Sequence, residues 1–329
     1  MNFIGMDIHK QFTVAVVKDE QGNELAKEKF ENNKENFSDF LKIFPKENTK
    51  IVMESCCVWE YIFEILEKME YDVKLSNPSK TKAIAYARIK TDSVDASTLA
   101  DLLRANLIAE SYIPPKKIRR LREIVRERKT FVKQSTQLKN KIHSMLIRRG
   151  IKLPTATLGK KALKLISEMV DENDIIEHYT NLLWYNKQEL NFIEDKIKKI
   201  AEENQEANLL MTIPGIAEIR AMEIIAEIGE INRFPTADKL CSYAGLVPSI
   251  KQSGNTLRFG KLIKQSSKFL KNAFVEASWI SIRSDNPLQV FYKKLAKKKG
   301  KQKAICATAR KLCCVVYAML TNQKEFRYS

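Results

Sequence analysis

The spacing of apolar residues changes character along this chain, and the changes divide it. From Phe3 to Phe30 the runs FIGMDI and FTVAVV are rich in apolar and β-branched residues, Glu20-Gln21-Gly22-Asn23 carries turn chemistry, and ELAKEKF follows. These features predict three strands in a meander. A helical period then covers Asn33 to Ile43. It is followed by a short apolar strand at IVMES (51–55), a helix at VWEYIFEILEKME, a strand at DVKLSN and helical segments from Pro78 to about Leu107. Residues 1–110 are therefore expected to form an α/β domain.

Beyond Lys116 the period becomes that of a heptad seam. Leu121, Ile124, Arg128, Phe131, Ser135, Leu138, Ile142 and Met145 alternate spacings of three and four, and Ile176, Tyr179, Leu183, Asn186, Leu190, Ile193, Ile197 and Ile200 repeat the pattern. Gly150 and Pro154 interrupt it between the two runs. The runs can pair as a hairpin within one chain or as a coiled coil between chains, with Arg128, Ser135 and Asn186 as polar positions that set register. Residues 111–206 are read as this helical linker and residues 207–329 as a mostly α C-terminal domain. The latter opens with LLMTIPGIAEIRAMEIIAEIG, two helices about a Pro-Gly turn, and ends in long basic helices separated at Gly300. Gly245 to Gly260, rich in Gly, Ser, Pro and Asn, reads as an exposed loop. Trp59, Trp184 and Trp279 lie in apolar helical patterns and are expected in the core.

Charge sharpens this division. The 329 residues carry a net charge of +17, distributed in blocks. Residues 1–110 hold 15 Lys/Arg against 19 Asp/Glu, and residues 111–150 hold 13 against 2. Residues 151–250 hold 11 against 16, and residues 251–329 hold 18 against 3. Two basic blocks flanking acidic ones point to polyanions held on two surfaces, while the first domain keeps its carboxylates for another use. No uninterrupted apolar run approaches the length needed to span a bilayer, and MNFIGMDIHK lacks signal-peptide order. No membrane partner is expected, and the cytoplasm is the expected location. Six cysteines include two adjacent pairs without zinc-site spacing and read as reduced core thiols.

An acid inside the apolar run Phe3-Ile4-Gly5-Met6-Asp7-Ile8 needs a reason. Glu54 closes the strand IVME, and Asp92 and Asp95 are spaced to share a helical face. Taken singly, each has an ordinary structural use: Asp7 on a solvent face, Asp92 as an N-cap, Asp95 as a first-turn dipole partner. Taken together they can form a like-charged cluster that is costly unless cations neutralise it, and hard oxygen ligands select Mg²⁺ or Mn²⁺. Two such ions roughly 3.5 to 4 Å apart clamp both oxygens of a phosphodiester undergoing in-line displacement.

The order of strands and helices in residues 1–110 is that of the ribonuclease-H-like fold. GMDIHK, the glutamate of VMES, KTDxxDA, and the run from IPGI through AEIGEINRF to SYAGLVPSIKQSG resemble the DEDD transposases of bacterial insertion sequences, in motif order and spacing over almost the whole chain. The resemblance implies a RuvC-like N-terminal domain whose metal-binding tetrad is Asp7, Glu54, Asp92 and Asp95, a coiled-coil linker, and a C-terminal transposase domain. By position in the Gln-Ser-Gly element it implies Ser253 as nucleophile, with Ser249, Ser266 and Ser267 as competing candidates. Lys251, Arg258, Lys261 and Lys264 are the basic side chains expected on the phosphate backbone. It further implies DNA and a structured guide RNA as partners and a bacterial setting, and two active-site parts on separate domains suggest a homo-oligomer (dimer or tetramer) assembled through the heptad helices. Where relatives tend to have a glycine and then an arginine after this element, Ser266 and Lys271 stand here. IPGI also resembles a helix-hairpin-helix turn. A junction-resolving nuclease that uses water, and a non-catalytic nucleic-acid scaffold, are the alternatives.

Overall fold

A computed structural model describes residues 1–85, 91–153, 158–169, 174–253 and 256–327. The chain divides into two compact units, Met1–Ile113 and Pro114–Ser329. In the first, β1 (Asn2–Ile8), β2 (Phe12–Lys18), β3 (Glu24–Glu31), β4 (Thr49–Glu54) and β5 (Asp72–Ser76) form one sheet in the order β3-β2-β1-β4-β5. β1 and β2 pair antiparallel, as do β2 and β3, whereas β4 runs parallel to both β1 and β5. This mixed order is consistent with a ribonuclease-H-like domain, and every strand expected from the apolar pattern is present. β1 and β2 are almost entirely buried, which explains their near-continuous apolar runs. β3, at the edge, alternates charged residues and is exposed.

Helices α1 (Lys34–Leu41) and α2 (Trp59–Lys68) contribute Phe37, Phe40, Ile62 and Leu66 to the core around Ile4, Met6, Ile51 and Met53. Helix α3 (Pro78–Ile84) follows β5. Helix α4 (Asp92–Arg104) lies against the sheet and buries Ala96, Leu99, Ala100 and Leu103. Its approach depends on small residues: a methyl group placed on Gly5 would overlap the Ala96 carbonyl and the Ala100 amide. Glycine in β1 lets α4 sit directly on the strand that carries Asp7.

The second unit begins with α5 (Lys116–Arg148), then the short α6 (Lys160–Met169) and α7 (Ile175–Glu202). α5 and α7 pack on one another within the chain. The polar seam positions expected to set register meet: Ser135 donates to Asn186 at 2.6 Å, both buried, and Asn186 donates to Gln134. Ile142, Met145, Leu146, Ile176 and Leu183 close one end of this pair together with α6, a helix the heptad reading left out. Leu121, Val125, Ile197 and Ala201 join the other end to the main core of the unit.

That core is built by α8 (Gln205–Met211), α9 (Glu218–Ile228), α10 (Ala237–Tyr243), α11 (Lys268–Ser281), α12 (Pro287–Lys299) and α13 (Lys301–Asn322), with the hairpin β6 (Pro248–Ser253) and β7 (Thr256–Leu262) inserted before α11. The α8–α9 turn holds Gly215 at φ +93°, and a side chain there would meet the Ser281 amide at 2.6 Å. That glycine serves close packing on α11. Helix α13 is long and apolar enough by composition to cross a membrane, yet Ala309, Leu312, Cys313, Val316 and Leu320 bury it in the core. The six cysteines are free, with Cys57 exposed.

Three expectations need correction. Residues 245–260 are not an irregular loop: β6 and β7 pair antiparallel, Ile250 opposite Phe259 and Lys251 opposite Arg258. Trp184 and Trp279 are 50% and 39% exposed, since an amphipathic helix tolerates an aromatic at the margin of its buried stripe. The first basic block is spent in part inside the protein, where Arg126 and Arg128 pair with buried glutamates of α9.

Candidate functional site

β1 ends where β2 begins, and the turn between them is braced. The His9 amide donates to the Phe12 carbonyl at 2.9 Å, Asn32 donates to the His9 carbonyl at 2.8 Å, and Thr13 donates to Asn32 at 2.6 Å. The His9 ring stacks on Phe12 with centroids 4.5 Å apart, and the Lys29 ammonium lies 3.8 Å from the Phe12 centroid. The imidazole is thereby aimed along the end of β1. Its Nε2 lies 3.2 Å from Asp7 Oδ2 and 3.3 Å from Asp92 Oδ2.

Asp92 reaches this point because α4 starts there. Thr91 is the N-cap, its hydroxyl accepting from the Val94 amide at 3.3 Å, and Asp92 and Asp95 occupy the first turn, where the helix dipole favours carboxylates. Asp92 is thus not the cap. One ligand atom from each of Asp7, His9 and Asp92 lies within 4.8 Å of the other two. Among the described residues this is the group with that geometry. Asp7 is 9% exposed. Burial pushes its carboxyl above the ordinary range; His9 pulls it down, and the Asp92 and Asp95 carboxylates push it up again. Asp95 is therefore felt electrostatically at Asp7. Glu54 ends β4; the β1–β4 register runs through Met6 opposite Met53, so Asp7 and Glu54 are the next residues on adjacent parallel strands. Glu54 also pairs with Ser76 across β5.

Two carboxylates, one largely desolvated, and an imidazole are a donor set for a divalent ion. The oxygens suit Mg²⁺ or Mn²⁺, and the nitrogen favours the transition metal. His9 was not singled out from sequence. The available signal was its place two residues after Asp7, just past the end of β1, where the period of a strand would send both side chains to the same side.

In the second unit, Ser253 pairs with Thr256 next to the hairpin turn; its side chain, like that of Lys251, lies outside those described. Arg258, Lys261 and Lys264 are exposed. Of the competing serines, Ser267 is committed to structure: it caps α11, accepting from the Leu270 amide, and donates to Glu227 at 3.0 Å. Ser266 packs on Gly245, where any side chain would overlap its hydroxyl. Ser249 covers Gly260 in the same way.

Part of the α5 charge is internal. Arg126 makes a bidentate pair with the buried Glu227 at 2.8 and 3.1 Å, and Arg122 donates to the carbonyls of Ala226 and Glu227 at the end of α9. Arg128 bridges Glu194 and Glu223, and Lys129 reaches Glu223 and the Phe269 carbonyl. These contacts tie α5 to α7, α9 and α11.

An α/β domain with carboxylates and an imidazole gathered at one end of β1 and α4 is consistent with the class of ribonuclease-H-like domains. Comparison with known proteins narrows the class to a family. The DEDD transposase model matches residues 4–148, and the model of the transposase IS116/IS110/IS902 family matches residues 207–293. The transposase for insertion sequence element IS1111A of Coxiella burnetii is 24% identical over 84% of this chain and 79% of its own length. The transposase for IS1328 of Yersinia enterocolitica is 20% identical over 99% of this chain and 98% of its own. A pilin gene-inverting protein of Moraxella bovis is 36% identical over 38% of this chain and 40% of its own. The chain belongs to the DEDD transposase family of insertion sequences.

Proposed function

We propose that this protein is an insertion-sequence transposase or recombinase that cuts and rejoins DNA, with a metal-binding centre in its first unit and a serine nucleophile in its second. The observation that carries the reading is the convergence of Asp7, His9 and Asp92, with Asp7 held above its ordinary pKa by burial and by neighbouring carboxylates, inside the segment matched by the DEDD model. In this reading residues 1–110 are a RuvC-like catalytic domain, 111–206 a coiled-coil linker and 207–329 the C-terminal transposase domain.

Asp7, Glu54, Asp92 and Asp95 hold Mg²⁺ or Mn²⁺, and His9 joins them as a nitrogen donor or orients Asp7. When bound, the ion neutralises charge on the scissile phosphate. Ser253 Oγ attacks phosphorus, the bond from phosphorus to one sugar oxygen breaks, and that oxygen takes up a proton as the serine loses one. Attack by a sugar hydroxyl of another strand then forms the new phosphodiester and frees the serine, so bond energy is conserved between the two steps. Lys251, Arg258, Lys261 and Lys264 bind the phosphate and stabilise its charge. Support for a second polyanion, a structured guide RNA, comes from exposed lysines at 293, 294, 297, 298, 299, 301 and 303. Assembly into a dimer or tetramer supplies both DNA strands with both active-site parts.

The test is a denaturing gel of protein with Mg²⁺, labelled DNA carrying the element's ends and target, and co-expressed RNA. A DNA-linked protein band is expected for wild type and not for Ser253→Ala. Cleavage in both without that band replaces the serine route by water-dependent nuclease chemistry. Unchanged DNA in both, alongside an Asp7→Asn variant that differs from wild type only in stability, replaces it by a scaffold.

A further inference from the structure

The β6–β7 hairpin presents an apolar pair that its own fold does not use. Ile250 and Phe259 stand directly opposite one another across the two strands and are 60% and 65% exposed. Side chains of such a pair sit close enough to act as one surface. Strand alternation sends Thr256 and Arg258 to the opposite face, and Ser253 is the register partner of Thr256. The hairpin therefore has the Ile250–Phe259 pair on one face and Arg258 on the other, with the serine element at its turn.

Charge decides what covers the apolar face. From Lys239 to Val275 the chain contains seven Lys/Arg and no Asp or Glu. A second copy meeting this face about a twofold axis would bring two acid-free basic segments together, which like-charge repulsion disfavours. The occupant that matches both a cationic surround and a flat apolar surface is a polyanion with π faces, an unpaired stretch of nucleic acid. Base–aromatic stacking beside a basic groove is how such strands are held.

We propose that Ile250 and Phe259 form a stacking platform for an unpaired DNA base, keeping the strand open beside the phosphate that Arg258 on the other face of the hairpin engages. The platform deepens the serine reading by placing single-stranded DNA at the Ser253 element, and it is measurable by binding alone.

The experiment uses the full chain with a mixed-sequence oligonucleotide containing 2-aminopurine, single-stranded or in duplex, and reads fluorescence quenching and anisotropy. Wild type is expected to quench the single strand. Phe259→Ala should weaken single-strand binding about tenfold while leaving duplex binding nearly unchanged, and Phe259→Trp should restore it. Both positions are exposed, so unchanged thermal midpoints verify that the variants are folded. Equal loss on single strand and duplex, no loss on either, or a fall in oligomer mass without loss of DNA binding overturns the platform. The covalent-band assay on wild type reads the serine separately. Quenching without a DNA-linked band leaves the platform standing and removes the serine route; a normal band from Phe259→Ala with unchanged binding does the reverse.

Discussion

Each unit of this protein buries carboxylates, and the two groups are treated in opposite ways. Glu223 and Glu227 in α9 are each 1% exposed, yet both are paired: Glu227 with Arg126 and Ser267, Glu223 with Arg128, Lys129 and Arg220. Asp7 meets one imidazole and two further carboxylates, and its carboxyl is pushed up rather than down. The first group is a finished structure, a set of clasps holding α5, α9 and α11. The second is a gathering of carboxylates around a raised Asp7, for which we propose a cation from outside the chain. Burial alone does not separate a structural acid from a functional one; the identity of what surrounds it does.

The largest expected effect breaks the finished cluster. Glu227→Ala strands Arg126 and Ser267 and should cost about 3 kcal/mol in urea unfolding, with fraying of the α5–α9 contact visible by hydrogen exchange. A loss below a few tenths would mean the clasp is ornamental and the comparison wrong. Next, His9→Ala should lower Mn²⁺ affinity about 10- to 100-fold by calorimetry, since losing a ligand or its orienting partner has effects of that size. Mg²⁺ affinity should fall less, because an imidazole contributes less to that ion; equal affinities in mutant and wild type would remove His9 from the centre. Gly5→Ala should cost about 1–3 kcal/mol by forcing α4 off β1, and should weaken metal binding with it.

The smallest effect has the opposite sign. Asp7 has a folded pKa above its unfolded value, so ionising it opposes folding: the metal-free protein gives up stability as pH rises from the ordinary carboxylate range through the raised value. Asp7→Asn should remove that dependence and leave the metal-free protein as stable as wild type or slightly more so, while abolishing metal binding. Thermal midpoints between about pH 3 and 7 check this, and a clear destabilisation at neutral pH would class Asp7 with Glu227.

Local pattern carried far into the fold. Strand runs such as FTVAVV and IVMES, and the heptads of α5 and α7, were legible because burial on both faces or along one stripe writes itself into residue spacing. The partner choice of the heptads was not legible, because an intrachain seam and an interchain seam use the same residues; packing within the chain settles that α5 and α7 face one another here. The β6–β7 hairpin was hidden by its glycines and serines, which mark loops and turns alike, while the Ile250–Phe259 pairing depends on strand register.

The candidate centre divides in the same manner. Asp7, Glu54, Asp92 and Asp95 stood out in the sequence as acids in apolar or first-turn settings, and Gly5 two residues before Asp7 was visible without its meaning. Only the tertiary structure brought the first turn of α4 onto the end of β1, added His9 to the group, and showed that Arg126 and Arg128 of α5 were committed to Glu227 and Glu223. Sequence determined which residues can carry charge and which faces must be buried, because those follow from side-chain chemistry and period. Which charges meet was decided by three-dimensional packing, since electrostatic interaction depends on distances that chain order does not contain.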